Sequence, residues 1–232
     1  MNAKIAICIT TRNRPEAFAT TYLHIQEYLP EGAALFIVDD ASDITYCDSD
    51  YRFCERVGIP RAKNKCFELA YDWGADHIFL FDDDCYPKME GWHLPYIQSG
   101  VNHLCFTFTS GWEGTSSWNS GYVNDGFMIH QLGCGCMMYF TRKCLNIVGG
   151  FDTEFGLGKY EHTDLSRRIH NAGLTPHRFM DVIDSDKLFH SMDQYGQVKR
   201  TFNEVERKKL MASGESYFYA NQHSSKYISF NQ

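Results

Sequence analysis

The run His77-Ile78-Phe79-Leu80-Phe81-Asp82-Asp83-Asp84 constrains this chain more than any other stretch. Four consecutive apolar residues lead straight into three carboxylates. An unbroken apolar run rich in Phe and Ile reads as a strand buried on both faces. Three adjacent carboxylates at its end are costly, because like charges a few ångströms apart raise one another's pKa. A divalent cation would remove that cost. The competing explanation is a solvated acidic turn, since Asp is common in turns. If extended geometry persists, Asp82 and Asp84 share a side and Asp83 points elsewhere.

The preceding residues repeat the pattern. Lys4 to Thr10 reads as a buried first strand, followed by the loop Thr11-Arg12-Asn13-Arg14 and a helix to about Tyr28. Pro15 suits the first helical position and Glu16 the positive end of the helix dipole. Ala34 to Val38 reads as a second strand ending in Asp39-Asp40-Ala41-Ser42, and a short strand is expected near Arg56 and Val57. Ala62 to Trp73 carries a helical stripe of Cys66, Leu69, Ala70 and Trp73. Strands alternating with helices predict a mostly parallel sheet with right-handed crossovers. Polar residues then gather at three strand ends, Thr10–Arg14, Asp39–Ser42 and Asp82–Asp84. Ligands of open α/β sheets bind at such carboxyl ends.

Beyond Pro87 the pattern loosens. Met89–Ile97 reads as a helix, Leu104–Thr109 and Gly135–Phe140 as strands, and Thr141–Val148 as a helix. The segment 110–126 reads as a loop or hairpin. Its Trp112 and Trp118 suit a platform for a planar or sugar ligand, or simply pack over the sheet. Glu161 opens a helix through His170, where Glu161 and Asp164 favour the N-terminus and Asp164 can pair with Arg168 four residues on. Leu188-Phe189-His190 reads as a last strand. A polar loop, a charged helix over Asn203–Met211 and a tail with little core pattern complete the chain. The expected organisation is one α/β domain over 1–190, with a nucleotide-binding half (1–100) and an acceptor half (101–190). Residues 191–232 form a loop and helix able to act as a lid.

A chain of 232 residues suffices for one such domain. Net charge of −7 disfavours non-specific polyanion binding. The basic cluster Lys199, Arg200, Arg207, Lys208 and Lys209 is either a solvated face or a phosphate-neutralising one. Nine cysteines, none in CxxC spacing, argue against a zinc ribbon or disulfide framework. Cys134 and Cys136 fit buried free thiols better than a soft-metal site. No apolar run approaches the ~20 residues of a membrane span, and the short run Ile5–Ile9 is no signal peptide. A soluble, cytoplasmic protein is expected.

Taken together and in order, Ile7–Pro15, the Phe36-Ile37-Val38-Asp39-Asp40-Ala41-Ser42 segment, Gly58-Ile59-Pro60-Arg61-Ala62-Lys63-Asn64, Leu80–Asp84 and Gly149-Gly150-Phe151-Asp152 resemble the motif series of GT-A-fold glycosyltransferases of the family 2 type. The resemblance covers roughly Ile5 to His190. It implies a Rossmann-like mixed sheet flanked by helices and metal-dependent transfer of a sugar from a nucleotide donor, UDP-linked, to a hydroxyl acceptor, with inversion favoured over the alternative of retention, which would need no base. It implies that Asp39 or Asp40 bonds the nucleobase beside Thr10 and Arg12, and that Arg61 and Asn64 hold the base or ribose. Asp82 and Asp84 would hold Mn²⁺ or Mg²⁺, with His190 as third ligand and Asp83 beside them in the donor site. Lys199 and Arg200 would close over the diphosphate, and Trp112 and Trp118 would face the acceptor. The family's catalytic acidic pair is altered: Glu161 matches its first position but His162 occupies the second, leaving Glu161, His162 or Asp164 as base. The acceptor is expected to be a glycan or polysaccharide; a hydroxymethylated DNA base is the alternative. A sugar nucleotidyltransferase fits less well, because no glycine interrupts Thr10–Arg14, and a non-catalytic carbohydrate-binding module is disfavoured by the intact Asp82/Asp84 pair.

Overall fold

In the computed structural model, residues 3–108, 121–199 and 202–231 are described. Trp112, Trp118 and Arg200 lie outside them.

Strands β1 (Ile5–Thr11), β2 (Ala34–Asp39), β3 (Tyr51–Arg52) and β4 (His77–Asp82) form the parallel part of a central sheet. With β5 (Cys85–Pro87), β6 (His103–Cys105), β7 (Gly121–Asn124), β8 (Phe127–His130) and β9 (Met137–Thr141) in chain order, the six-stranded order is β3-β2-β1-β4-β9-β6. Strand β9 runs antiparallel between β4 and β6. The opening run is thus a central strand, as its apolarity requires.

Side chains alternate across this sheet and build two cores. Ala6, Cys8, Ile78 and Leu80 face helix α2 (Ile59–Trp73), with Cys66, Phe67 and Ala70 packed on them. Ile7, Ile9, Phe79 and Phe81 face the opposite side, against Phe18 and Ile25 of helix α1 (Pro15–Glu27) and against Trp92 and Tyr96. Burying each phenylalanine contributes about 1.5–3 kcal/mol. A strand loaded on both faces needs no alternation of polar residues, which explains the continuous run.

The remaining elements are α3 (Leu94–Gln98), α4 (Arg142–Val148), α5 (Glu161–Asn171), β10 (Met180–Val182), α6 (Ser185–Leu188), β11 (Phe189–Ser191) and α7 (Glu204–Ala220). Strands β10, β8 and β7 make a small antiparallel sheet. The β7–β8 hairpin turns at Asp125-Gly126, both with positive φ, the pairing a tight hairpin turn demands. Strand β11 pairs with β5, and Met192 N donates to Asp84 O at 2.8 Å. That contact carries the loop after β11 to the acidic strand end.

Three expectations need correction. The short strand lies at Tyr51–Arg52, because it must register with Val38 and Asp39 at the end of β2; Arg56 and Val57 are left in the loop. The Met89–Ile97 helix shrinks to α3, since Gly91 takes a positive φ and interrupts it. The C-terminal segment is part of the core. Helix α7 extends to Ala220, with Phe218 buried, and Phe230 is buried against the α2 side of the sheet. Ile228 forms a parallel bridge with Gly149. Gly149 has φ +77°, and a Cβ there would stand 1.8 Å from Ile228 O. No helix among the described residues is long and apolar enough to cross a membrane.

Candidate active site

The carboxyl ends of β1, β2 and β4 open into a cleft of about 540 Å³ lined by Thr10, Thr11, Arg12, Arg14, Asp40, Arg56, Ile59, Ala62, Asp82, Asp83 and Phe202. Parallel strands place their loops on one edge, so three separate polar segments of sequence become one surface. Arg12 donates to the carbonyls of Asp40 and Ala41 and fixes the loop after β2. The two aspartates of that loop part company. Asp39 turns to Ser42 and Arg52. Asp40 lines the cleft, accepting from Val57 N at 2.6 Å and Gly58 N at 3.1 Å. Burial raises the Asp40 carboxyl, against the opposing effect of those amides and of Arg12.

Of the three carboxylates after β4, Asp82 is the most exposed, and its Oδ1 meets Lys63 Nζ at 2.8 Å. Asp83 is fully buried, taking the Thr11 hydroxyl at 2.6 Å and the Arg14 guanidinium. Asp84 is held by the other arm of Arg14 at 2.7 Å. Burial raises both Asp83 and Asp84 despite Arg14, and neighbouring carboxylates add to it; Asp84 reaches about 7.

The same lysine reaches the second half of the site. Lys63 Nζ is almost wholly buried and also donates to Gly135 O at 2.9 Å. Burial alone would lower its pKa; Asp82 and then Glu161 reverse this and leave it raised. Glu161 begins α5 and is 3% exposed. Burial pushes its carboxyl up, but His162 and Lys63 outweigh that and hold it near about 2. Its Oε1 lies 3.2 Å from His162 Nδ1, while Oε2 is buried with no hydrogen-bond partner among the described residues. The His162 ring lies on Gly135, where a Cβ would come within 2.8 Å of it. Lys159 and Tyr160, immediately before this helix, both take left-handed backbone (φ 81° and 70°). Such strain in non-glycine residues collects at functional sites.

The expected residues divide clearly. Thr10, Arg12, Asp40, Asp82 and Asp83 share one cleft, with Asp84 joined to it through Arg14. Arg61 is exposed and lines a different groove with Tyr51, Phe53 and Phe230. Asn64 is engaged with Phe151 N and O at 2.7 and 2.9 Å, pinning the Gly149–Asp152 turn. Neither lines the cleft, because on α2 it is Ile59 and Ala62 that face it. Asp164 is bound to Arg168 Nε at 2.7 Å, and Arg168 in turn bonds the carbonyls of Val148 and Gly150. The structural reading of Asp164, as a helix-internal ion pair, is the one observed. His190 Nε2 meets Gln197 Oε1 at 2.8 Å, and its ring lies between Tyr86 and Tyr195. Among the described residues no three His, Cys, Asp or Glu side chains converge to hold a metal ion, so the expected trio with His190 is not assembled. Lys199 is exposed beside Arg14. Cys134 and Cys136 are buried free thiols.

Lys63, Arg56 and Phe202 were not read from sequence as site residues, and Arg14 was read only as part of the polar strand end Thr10–Arg14. Lys63 stands inside the glycine-to-asparagine segment that carried the resemblance, and a lysine in a helix ordinarily reads as solvated. Phe202 gave no signal, being a lone aromatic in a polar stretch.

No family model matches the chain. It is 28% identical over 212 residues to an uncharacterized glycosyltransferase of Acanthamoeba polyphaga mimivirus, across 81% of this chain and 82% of the relative. Among solved structures, it is similar to the catalytic domain of Drosophila β1,4-galactosyltransferase 7 in complex with xylobiose, at 17% identity and TM-score 0.50, covering 90% of this chain and 80% of that one. A mannosyltransferase of Pyrobaculum calidifontis, in complex with GDP-Man and Mn²⁺, matches at 14% identity and TM-score 0.61, over 93% and 64%. GalNAc-T7 with UDP, GalNAc and Mn²⁺ matches at 12% identity and TM-score 0.64, over 99% and 52%. The solved structures show the fold to be GT-A, as expected, and the sequence relative is a glycosyltransferase by name.

Proposed function

We propose that this chain is a glycosyltransferase of the family 2 type that moves a sugar from a UDP-linked donor to a hydroxyl of a glycan, with inversion and a divalent cation. The observation that carries the reading is the charge balance around Lys63. Four carboxylates, Asp82, Asp83, Asp84 and Glu161, surround two cations, Arg14 and Lys63. A hard dication fits this oxygen-rich donor set and its excess negative charge, and the relatives in complex with Mn²⁺ support it. Asp82 and Asp84 would hold the cation, which supplies Lewis-acid neutralisation of the departing diphosphate.

The chain's own residues do the rest. Asp40 and Arg12 receive the base end of the donor, and Arg14 and Lys199 stand near the diphosphate end. Glu161, kept ionised beside Lys63, fixes the His162 ring through Nδ1. The other ring nitrogen then accepts the proton of the acceptor hydroxyl, a role suited to histidine near neutral pH. Attack from that face gives inversion at the anomeric carbon.

Thermal-shift titration with UDP-sugars and GDP-sugars, with and without Mn²⁺, tests the donor site, because a ligand of the folded state raises the melting temperature. No shift with any nucleotide sinks it. Product anomericity by NMR and the kcat of His162→Ala test the base; full kcat in that variant moves the base elsewhere. A hydroxymethylated DNA base has no comparable support as acceptor. Helix α7 intersperses Glu204 and Glu206 with its lysines, and Lys208 pairs with Glu204 at 3.2 Å, so it presents no uniform basic face.

A further inference from the structure

We infer that Arg56 and Phe202 form a clamp for the nucleobase of the donor, an inference that rests on the donor-site reading above. Both line the 540 Å³ cleft, and the Arg56 guanidinium lies 4.7 Å from the centre of the Phe202 ring. The Arg56 Nε–H is buried and has no hydrogen-bond partner among the described residues. A buried donor without an acceptor is costly, and native structures rarely keep one without a use. Arginine only donates, so the missing partner is an acceptor atom: a ring nitrogen or carbonyl oxygen of a base supplies one.

Position along the cleft separates base from phosphate. The charged groups around Arg56 are Arg12, Asp40 and Glu206. Those around the Asp82–Asp84 group are Arg14 and Lys63. Arg56 therefore belongs to the Asp40 end, away from the carboxylates that face the diphosphate. There, a donor from Arg56 beside the acceptor Asp40 complements a base edge, on which acceptors and N–H groups sit side by side. Phe202 adds a flat apolar face over the same end, and an aromatic face of this kind serves any base. Phe202 is delivered by the segment leading into α7, whose start is fixed by the Asn203–Glu206 capping box. Helix α7 is itself anchored by Tyr217 on Asp152 at 2.9 Å and by Arg167 on Phe218 O at 2.7 Å. The segment leading into α7 thus contributes Phe202 to the lining of the cleft.

The test compares wild type with Arg56→Ala, Phe202→Ala and the conservative Phe202→Tyr in calorimetric titrations with UDP, GDP and pyrophosphate, all with Mn²⁺. The expected result is a loss on the order of 10- to 100-fold in nucleotide affinity for the two alanine variants. Phe202→Tyr should bind near wild type, and pyrophosphate affinity should be unchanged throughout. Wild-type nucleotide affinity in both alanine variants overturns the clamp and leaves the donor site standing. Equal losses for pyrophosphate make Arg56 a phosphate ligand and overturn it as well. Wild type that binds pyrophosphate but no nucleotide overturns the donor-site reading, and the clamp with it.

Discussion

Lys63 Nζ stands 2.8 Å from Asp82 Oδ1, on a lysine side chain that is 1% exposed. An ion pair at this depth joins the acidic end of β4 to helix α2 and, through the charge of Glu161, to the start of α5.

Removing that lysine strands charge. Lys63→Met keeps the volume but leaves Asp82 and Gly135 O without their shared donor and Glu161 without a nearby positive charge. Breaking a buried pair from one side costs about 3 kcal/mol, and Asp82, being partly exposed, recovers some of it from water. Chemical denaturation should show destabilisation of that order, with transfer activity lost even where the variant is folded. Lys63→Met with native stability and kcat would place the lysine outside the machinery.

Asp84 is the residue to remove when testing the cation. In Asp84→Ala, Arg14 retains Asp83, so the fold should persist with unchanged circular dichroism. Transfer should fall by more than the about 10- to 100-fold typical of outer-sphere changes at metal sites, and excess Mn²⁺ should not restore it. An active Asp84→Ala enzyme would contradict the role given to the acidic strand end.

Asp181 gives a pH signature away from the cleft. Burial holds its carboxyl at about 7, although Ser185, Tyr96 and the amides of Thr107 and Val182 work against the rise. The folded protein therefore keeps a proton that the unfolded chain releases near 3.8. The stabilisation is complete below the unfolded value and lost as pH rises through the folded one. The loss between pH 4 and 7 amounts to roughly 4 kcal/mol at most, for a rise from 3.8 to about 7. Melting temperature against pH should fall less steeply in Asp181→Asn than in wild type; parallel curves would refute this.

Gly149 tolerates no side chain. Gly149→Ala meets a backbone oxygen that cannot swing aside and a positive φ that costs a further 1–2 kcal/mol or so. The expected outcome is a loss of about 2–3 kcal/mol in stability and early proteolytic release of the last residues. A variant as protease-resistant as wild type would show that the Ile228 bridge carries no weight.

The parallel half of the fold was legible because its central strands β1 and β4 are buried on both faces, and Phe79, Leu80 and their neighbours leave little room for another reading. The three polar strand ends were legible for the same topological reason. The misassigned residues share a different property: their partners are remote in sequence. Asn64 reads as a binding residue until Phe151 is found beside it, 87 positions away. Lys63 and Asp82 lie on separate elements, and nothing local to either reveals the pair. Phe218 lies in the run Tyr217-Phe218-Tyr219 and Phe230 stands near the end of a polar stretch, neither with a core periodicity, so only packing exposes them as core. The Asp125-Gly126 turn carries a local signal, but a loop or hairpin read over 110–126 ends on it instead of centring there, so β7 and β8 are not anticipated.

The bridge between Gly149 and Ile228 also sets an order of events at the ribosome. The strand that seals the Gly149–Asp152 turn is synthesised roughly 80 residues after it. At about 5–20 residues per second that is a delay on the order of 4–16 s. For that interval the nascent chain carries the sheet, α2 and α5 with one core uncapped, Arg168 already in place and one of its carbonyl partners, Lys226 O at 3.4 Å, still to come. Chaperone dependence should therefore persist until Phe230 has emerged and the core is capped.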